Sequence, residues 1–559
     1  MLFVALTYVF TLIQPQVLRY AVDDLYRGVT AEKLGRYALL LFGIASVAAI
    51  FRYAMRRTVI AASRWIEYDL RNDLFEHLER LPPEYFQHQR TGEIMSRATN
   101  DLSAVRMMLG PGIMYLVNTV VVALLSTGFM LAISPTLTLI SLLPLPLVSL
   151  AVWFFGERIH RRFESIQEHF ARLSARVQEN LAGVRVVRAF AREPGEIEEF
   201  QRLNRDYLDR NLALIRTSGV FYPALELLNG IASLLALWIG GRLVIAGRIT
   251  LGEFVAFIWY LGMMNWPMVA LGWVTSLFQR GLASWARIVE ILDTVPTIAS
   301  APAAERPETC AGAIEFRHLT FTYPGAERPA LRDVSLCVPA GHTLAIVGRT
   351  GAGKSTLVHM LPRLFDPPPG TVFLDGRDVC DLDLDWLRRR IAIVHQDPFL
   401  FSATVAENLA YGVDQTDPAA IERVAGIARL ESEVRGFPNG YDTRVGERGI
   451  TLSGGQKQRV TIGRALLRDA PILLLDDCLS SVDAETEESI LRGLSQEMRR
   501  RTTLIVSHRV SAVREADTIL VIDDGTIVEH GTHDELIALG GRYWDLAQRQ
   551  QIEQELEAS

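Results

Sequence analysis

The chain has 559 residues, which is more than one domain usually contains. Hydrophobic residues make up 49% of the sequence, and the mean hydropathy is +0.17, while the net charge of −7 is spread unevenly along the chain. These values argue against a soluble single-domain protein. The four cysteines lack metal-ligand spacing, so we expect reduced thiols. We expect no cleavable signal peptide, because no basic segment precedes the first apolar stretch.

Uncharged stretches in the first half predict membrane-spanning helices. No charged residue occurs from Met107 to Gly156, a length that fits two spans of about 20 residues joined by a turn at Ser134-Pro135. The connections 54–111 and 157–218 are rich in arginine and have a helical pattern, so we expect them in the cytoplasm together with both chain ends. The six predicted spans are 1–22, 37–55, 112–133, 135–156, 217–241 and 254–279.

The composition changes after the last predicted span. Residues 292–312 are rich in proline, alanine and threonine and are typical of a linker. Beyond them, short apolar runs alternate with helical patterns, which indicates an α/β domain. We therefore predict a multidomain chain, with an all-α polytopic membrane domain at 1–291, a linker, an α/β domain at 313–547 and a C-terminal tail at 548–559.

Four apolar runs in the α/β domain each end at a polar residue that could take part in chemistry. Buried parallel strands are continuous apolar runs, and ligands bind at the carboxyl ends of such strands. We therefore expect the polar residues to converge at one edge of a sheet. The runs are Thr343–Val347 before Gly348, Ile391–Val394 before His395-Gln396, Ile472–Leu475 before Asp476-Asp477, and Thr503–Val506 before Ser507-His508.

The segment GRTGAGKST predicts a loop that binds the phosphates of ATP, with main-chain N–H groups at a helix N-terminus. Lys354 is one of three lysines in an arginine-rich chain, and it is expected to reach the β- and γ-phosphates. Ser355 and Asp476 are expected to hold Mg²⁺. The loop residues predicted to bind nucleotide are Gly348, Arg349, Thr350, Gly351, Ala352, Gly353, Lys354, Ser355 and Thr356.

These motifs, together with the sequence LSGGQ at Leu452–Gln456, resemble the P-loop ATPase domain of ABC transporters. Pro82–Arg106, Glu179–Glu193 and Gly247–Phe257 resemble segments of the exporter membrane domain. The resemblance implies six transmembrane helices with long cytoplasmic extensions, followed by the ATPase domain. It also implies short coupling helices at the tips of the two cytoplasmic connections.

The resemblance further implies roles for single residues. Tyr323 is expected to stack on adenine, Gln396 to contact Mg²⁺ and the attacking water, and His508 to contact the γ-phosphate. The signature motif is expected to bind the nucleotide of a second, similar subunit, which makes this chain half of a transporter. Its residues are Ser453, Gly454, Gly455 and Gln456.

One position departs from the family pattern. In the family, the Walker B aspartate, which corresponds to Asp476 here, is usually followed by a glutamate that positions the attacking water. In this chain the following residue is Asp477, which is one methylene shorter. We predict that Asp477, with Gln396 and His508, hydrolyses ATP poorly at this chain's own site. The chain then resembles the catalytically degenerate subunit of asymmetric bacterial heterodimeric multidrug exporters.

Other interpretations remain open on the sequence. One is a homodimeric exporter or lipid flippase with two slow sites. Others are an ATP-gated channel or regulatory sensor, or a siderophore-type importer on the exporter fold. In the preferred interpretation the cargo is an amphipathic or hydrophobic drug, lipid or peptide, and the chain contacts membrane lipids and binds no nucleic acid. The expected location is the bacterial cytoplasmic membrane, with the ATPase domain in the cytoplasm.

Overall fold

The computed structural model describes residues 2–415, 417–446, 449, 451–480, 482 and 484–558. The chain forms two compact units. The helical unit contains Met1–Glu79 and Arg90–Thr294, and the α/β unit contains Arg80–Gln89 and Val295–Ser559. The short segment Arg80–Gln89 therefore groups with the α/β unit, although it lies inside the first half of the sequence.

The helical unit consists of helices of very different lengths. Two π-helical turns, Arg97–Asp101 and Met108–Gly112, interrupt the stretch before α6, and Pro111 in the second turn has no N–H to donate. The helices are α1 Leu2–Arg27, α2 Ala31–Arg80, α4 Thr91–Ser96, α5 Leu102–Met107, α6 Ile113–Ile133, α7 Pro135–Leu142, α8 Leu145–Ala182, α9 Val184–Ala189, α10 Glu193–Ile245, α11 Leu251–Met263 and α12 Asn265–Leu292; α3, Pro83–His88, belongs to the α/β unit.

Four helical stretches in the described part of the chain are long and apolar enough to cross a membrane. They are Ala31–Arg80, Thr91–Ile133, Glu193–Ile245 and Leu251–Leu292. The second, third, fifth and sixth predicted spans lie within them. The first and fourth predicted spans fall in α1 and in α7–α8, which are not among these four stretches. The number of six spans therefore stays a prediction.

The predicted turn between the third and fourth spans is confirmed. Ser134 ends α6 and begins α7, and its Oγ accepts a hydrogen bond from the Leu137 N–H at 3.3 Å. Pro135 occupies the first position of α7, where a missing N–H removes no helical hydrogen bond. A second break, which the sequence analysis did not predict, separates α7 from α8 at Leu143-Pro144, because proline cannot continue the hydrogen-bond ladder.

The α/β unit contains two sheets. The elements are β1 Ile314–Phe321, β2 Leu331–Val338, β3 Thr343–Gly348, α13 Lys354–Met360, β4 Val372–Leu374, β5 Arg377–Asp378, α14 Leu384–Arg389, β6 Ile391–Val394, α15 Val405–Ala410, α16 Pro418–Ile427, α17 Glu431–Gly436, α18 Gly454–Leu467, β7 Ile472–Asp476, α19 Ala484–Met498, β8 Thr502–Val506, α20 Val510–Val513, β9 Thr518–Asp523, β10 Thr526–Gly531, α21 His533–Leu539 and α22 Arg542–Ala558. The segment 548–558, expected as a tail, continues helix α22.

The larger sheet positions the candidate site. Its strand order is β10-β9-β3-β8-β7-β6. The strands from β9 to β6 are parallel, and β10 pairs antiparallel with β9 at one edge. The smaller sheet is antiparallel, in the order β2-β1-β4-β5. Strands β3, β6, β7 and β8 coincide with the four predicted apolar runs, so their carboxyl ends lie at the same edge.

Candidate functional site

A cleft of about 270 Å³ opens at the carboxyl edge of the larger sheet. It brings together residues from the ends of β6, β7 and β8 and from the loop between β3 and α13. Most of the predicted site residues therefore share one cleft, although they are up to 185 positions apart in sequence, from Tyr323 to His508. The lining residues are Tyr323, Ala330, Thr350, Gly351, Gly353, Lys354, Ser355, Thr356, Gln396, Asp476, Asp477, Val506 and His508.

The glycines of the loop serve different purposes. Gly351 has φ +84°, and a Cβ placed there meets no atom within 4 Å, so its main chain borders open space. A Cβ on Gly353 comes within 2.5 Å of the Ala330 carbonyl oxygen, and one on Gly348 within 2.1 Å of the Ile522 oxygen. Gly351 thus fits a phosphate cradle, whereas Gly348 permits close packing of the sheet.

Gly348, Arg349 and Ala352 do not line the cleft. Gly348 and Arg349 border a separate cavity of about 110 Å³ between the loop and α22, and Ala352 is buried in the core beneath the loop. Their predicted contact with nucleotide therefore requires main-chain groups, which is how such loops bind phosphates.

Lys354 is the first residue of α13 and only 6% of its surface is exposed. Its ammonium donates hydrogen bonds to the carbonyl oxygens of Gly348 at 3.0 Å and Arg349 at 2.8 Å. Burial lowers the pKa of Lys354, and the carboxylates of Asp477 and Asp476 oppose that shift. The loop thus holds a buried cation beside the carboxyl end of β7, where an anionic phosphate would offset its desolvation.

Ser355 and Asp476 form the oxygen pair expected to hold Mg²⁺. The Ser355 hydroxyl donates to Asp476 Oδ1 at 2.9 Å, and Gln396 lines the same cleft. Hydroxyl, carboxylate and amide oxygens suit Mg²⁺, which takes only one or two protein ligands together with phosphate oxygens. The donor set therefore fits the ion, and the described residues contain no competing group of three or more His, Cys, Asp or Glu side chains that could hold a metal.

Asp477 follows β7 in an uncommon conformation. Its φ is +45°, a region that aspartate tolerates better than most residues. The Asp477 N–H donates to the carbonyl oxygen of Val506, the last residue of β8, at 2.9 Å. The main chain at this position is therefore held by the neighbouring strand, and the side chain borders the cleft beside Asp476 and His508.

Tyr323 and His508 lie on the cleft wall. The Tyr323 hydroxyl is 2.9 Å from Thr356 Oγ1, and its ring meets Phe365 edge-on at 5.0 Å between centroids. Burial and the nearby charge of Lys354 lower the pKa of His508, which favours the neutral imidazole. A neutral imidazole can offer either a donor or an acceptor to a ligand.

Comparison with known proteins gives the family. Residues 1–268 match the ABC transporter transmembrane region, and residues 331–480 match the ABC transporter family. A probable multidrug resistance ABC transporter ATP-binding/permease protein of Bacillus subtilis, YheI, is 39% identical over 96% of this chain and 92% of its own length. The chain belongs to the ABC exporters. It is a half-transporter, with a membrane domain fused to an ATPase domain.

Other relatives support the same family assignment. The multidrug resistance-like ATP-binding protein MdlA of Escherichia coli is 38% identical over 98% of the chain and 92% of its own length. The ATP-dependent lipid A-core flippase of Aromatoleum aromaticum is 37% identical, over 94% and 89%. A solved bacterial Atm1-family ABC exporter with ATP bound has a TM-score of 0.79 at 29% identity, and the match covers 98% of this chain and 97% of that one. The chain is thus an ATPase coupled to transport, an integral membrane protein with a cytoplasmic ATPase domain.

The signature motif of the exporter lies outside its own cleft. Ser453 precedes α18 and forms a capping box with Gln456: Ser453 Oγ accepts from the Gln456 N–H at 3.2 Å, and Gln456 Oε1 accepts from the Ser453 N–H at 2.9 Å. Ser453 and Gly454 are exposed. None of the four predicted signature residues appears among those that line the cleft.

Sequence analysis missed one side chain beside the Walker B carboxylate. His359 Nε2 is 3.4 Å from Asp476 Oδ2, on the opposite carboxylate oxygen from Ser355. His359 follows Ser355 by four residues on α13, so the two share a helix face. The four-residue spacing from Ser355 could have indicated that His359 lies near Asp476, but only if α13 was already known to pack against β7.

Proposed function

We propose that this chain is one half of a heterodimeric ABC exporter in which its own site holds ATP and the partner's site hydrolyses it. The observation that supports the proposal is Asp477 at the end of β7. Its N–H is bonded to Val506, so the neighbouring strand restricts how far the main chain can advance to compensate for a short side chain.

The length of that side chain decides the rate. An aspartate carboxylate ends about 1 Å short of the position a glutamate reaches, and a misplacement of this size costs on the order of a hundredfold in rate. Other side chains are proposed to bind ATP, namely Lys354, Ser355 and Asp476, which line the same cleft. Their contacts with ATP do not depend on the length of the Asp477 side chain. Binding should therefore survive where hydrolysis does not.

The proposal assigns binding roles to residues that line the cleft. The glycine loop and Lys354 hold the triphosphate, Tyr323 stacks on adenine, and His508 contacts the γ-phosphate. Mg²⁺, when bound, neutralises phosphate charge, and its proposed protein ligands are Ser355, Gln396 and Asp476. Gln396 also orients water at the γ-phosphate.

The signature motif supplies the second half of the argument. ABC exporters function as dimers, and we infer that the turn at Ser453, Gly454 and Gly455 closes on the ATP of the partner subunit. Main-chain N–H groups at the N-terminus of α18 favour an anion. The partner is expected to carry glutamate after its own Walker B aspartate, because one competent site is needed for turnover.

A pair of matched substitutions tests the proposal in the co-purified complex. Asp477→Ala should change steady-state ATPase activity only modestly, since this site contributes little turnover. Replacing the partner's glutamate with glutamine should nearly abolish it. Equal losses in both variants, or full ATPase and transport activity from this chain alone, would support the homodimer instead.

We further propose six spans and an amphipathic cargo. The relatives are named for multidrug resistance and for a lipid A-core flippase, which are both activities on molecules that partition into membranes. Stimulation of the complex's ATPase by a panel of cationic drugs, neutral drugs and lipids tests the cargo class. If only lipids stimulate the activity, the flippase is the better description, and opening of an ion current without transport favours the channel.

A further inference from the structure

Helix α22 follows the last strand of the larger sheet and packs on the α/β unit through one face. Tyr543, Leu546 and Gln550 are spaced by three and four residues, so they share that face. The Tyr543 side chain is fully buried, and Leu546 packs against the same core. The helix is therefore seated by its first two turns, and Gln550 lies one turn further along.

Three hydrogen bonds fix the beginning of α22. The Glu529 carboxylate accepts hydrogen bonds from the N–H groups of Arg542 at 2.5 Å and Tyr543 at 3.0 Å. The Tyr543 hydroxyl is 2.8 Å from His533 Nδ1 on α21. An acidic group at a helix N-terminus stabilises the helix. Docking of α22 thus does not depend on Gln550.

The side-chain amide of Gln550 binds the main chain next to the cleft. Its Oε1 accepts from the Val510 N–H at 2.7 Å, and its Nε2 donates to the His508 carbonyl oxygen. The opposite orientation of the amide would put an oxygen against a carbonyl and an NH₂ against an N–H, so the two partners fix the orientation. One side chain therefore holds both ends of the segment 508–510.

This segment leaves the sheet just before His508. Strand β8 ends at Val506, and the Ser507 N–H still donates to the Ile346 oxygen of β3 at 3.3 Å. The Ser507 hydroxyl accepts from the Arg509 N–H at 3.0 Å. The main chain at His508 is thus held by the glycine-loop strand on one side and by Gln550 on the other.

We propose that Gln550 is a positioning residue that sets His508 against the γ-phosphate and so prolongs the retention of ATP at this chain's site. The inference rests on the proposed contact of His508 with that phosphate. A cavity of about 110 Å³ lies between α22 and the glycine loop, and the two hydrogen bonds of Gln550 connect α22 to the segment that carries His508.

The test measures how fast ATP leaves this site in the intact complex. The complex is loaded with radiolabelled 8-azido-ATP and chased with unlabelled ATP, and the label that remains on this chain is photo-crosslinked. Gln550→Ala should accelerate loss of label about 2- to 10-fold, the effect of losing a hydrogen bond. Gln550→Glu, which keeps the acceptor but not the donor, should do the same.

Gln548→Ala is the matched control. Gln548 is on the same helix, exposed to solvent, and its side chain forms no hydrogen bond with any described residue. It should release ATP at the wild-type rate with an unchanged melting temperature. If Gln550→Ala also releases ATP at that rate, Gln550 does not position His508 and the inference is wrong.

A double-substitution cycle separates positioning from general stability. If Gln550 acts through His508, then His508→Ala with Gln550→Ala should lose ATP no faster than His508→Ala alone. Additive effects would overturn the inference while leaving the proposed function intact. If His508→Ala itself does not alter release, the proposed role of His508 fails, and the inference that rests on it fails as well.

Discussion

The nucleotide cleft and the N-terminus of α18 lie in the same α/β unit, yet they present their polar groups differently. In the cleft, Lys354 and Asp476 are buried, at 6% and 1% exposed surface, and bind partners within their own chain. At α18, Ser453 and Gly454 are exposed, and the Ser453 side chain caps its own helix. The cleft can be assembled by one chain, whereas the signature turn is an open surface, where we propose that a second subunit binds.

The departure from the family pattern lies in the nucleotide cleft and not in the signature turn. Asp477 shortens the carboxylate in the cleft, while the LSGGQ turn is complete. We propose that such a chain works in a heterodimer, in which its signature turn serves the site of the partner. Substitutions in the cleft and in the signature turn should therefore have different consequences.

The largest effect is expected at the signature turn. Ser453→Arg places a long cation where the partner's nucleotide is proposed to bind, and steady-state ATPase of the complex should fall on the order of a hundredfold. Ser453→Ala removes only the cap, which costs about 1 kcal/mol of helix stability, and should lower the activity less. An ATPase rate that Ser453→Arg leaves unchanged would show that this turn serves no active site.

On the cleft side, Lys354→Ala should reduce ATP binding by this chain. The substitution removes a buried cation from the phosphate loop, and losses on the order of a hundredfold in affinity are typical when one member of such a pair is truncated. Photo-crosslinking of 8-azido-ATP to this chain measures the effect, with crosslinking to the partner subunit as the internal control. Wild-type labelling of the variant chain would contradict the assigned role.

Lengthening the carboxylate should restore part of the missing activity. Asp477→Glu, studied with the partner's glutamate replaced by glutamine so that only this site can turn over, should raise ADP production by about tenfold. We expect less than the full hundredfold, because φ is +45° here and glutamate tolerates that region less well than aspartate. No gain would mean that the short side chain is not what limits hydrolysis.

The smallest effect concerns the thiol next to this carboxylate. Burial raises the pKa of Cys478 to about 12, so the reactive thiolate is scarce at pH 7.5, while Cys337 on β2 is exposed. A maleimide should label Cys337 readily, leave Cys478 unlabelled and leave ATPase activity unchanged. Labelling of Cys478 in the native protein, detected by mass spectrometry, would show that the end of β7 opens to solvent.

Much of the cleft could be predicted because its signals are local. Strands β3, β6, β7 and β8 are buried on both faces, so each is a continuous apolar run that ends at a polar residue. The turn at Ser134-Pro135 could also be predicted from local sequence, because serine caps a helix and proline fits the first helical position.

The remainder depends on contacts between segments distant in sequence. The strands β1 and β2 of the smaller sheet bury only some of their residues, without regular alternation, and β5 has only two residues. Gln550 and His359 belong to no sequence motif. Their contacts form only because α22 reaches residue 508 and α13 packs on β7. The sequence shows that residue 477 is an aspartate, but it does not reveal the left-handed main-chain conformation of that residue.

The central claim is that this chain's site retains intact ATP while the complex turns over. Its most direct test compares 8-azido-ATP labelled in the α-phosphate with the same compound labelled in the γ-phosphate, each crosslinked to the complex during steady-state hydrolysis. Retention of ATP predicts nearly equal label from both on this chain and mostly α-label on the partner. If γ-label is as depleted on this chain as on the partner, both sites hydrolyse ATP, and the asymmetric account is wrong.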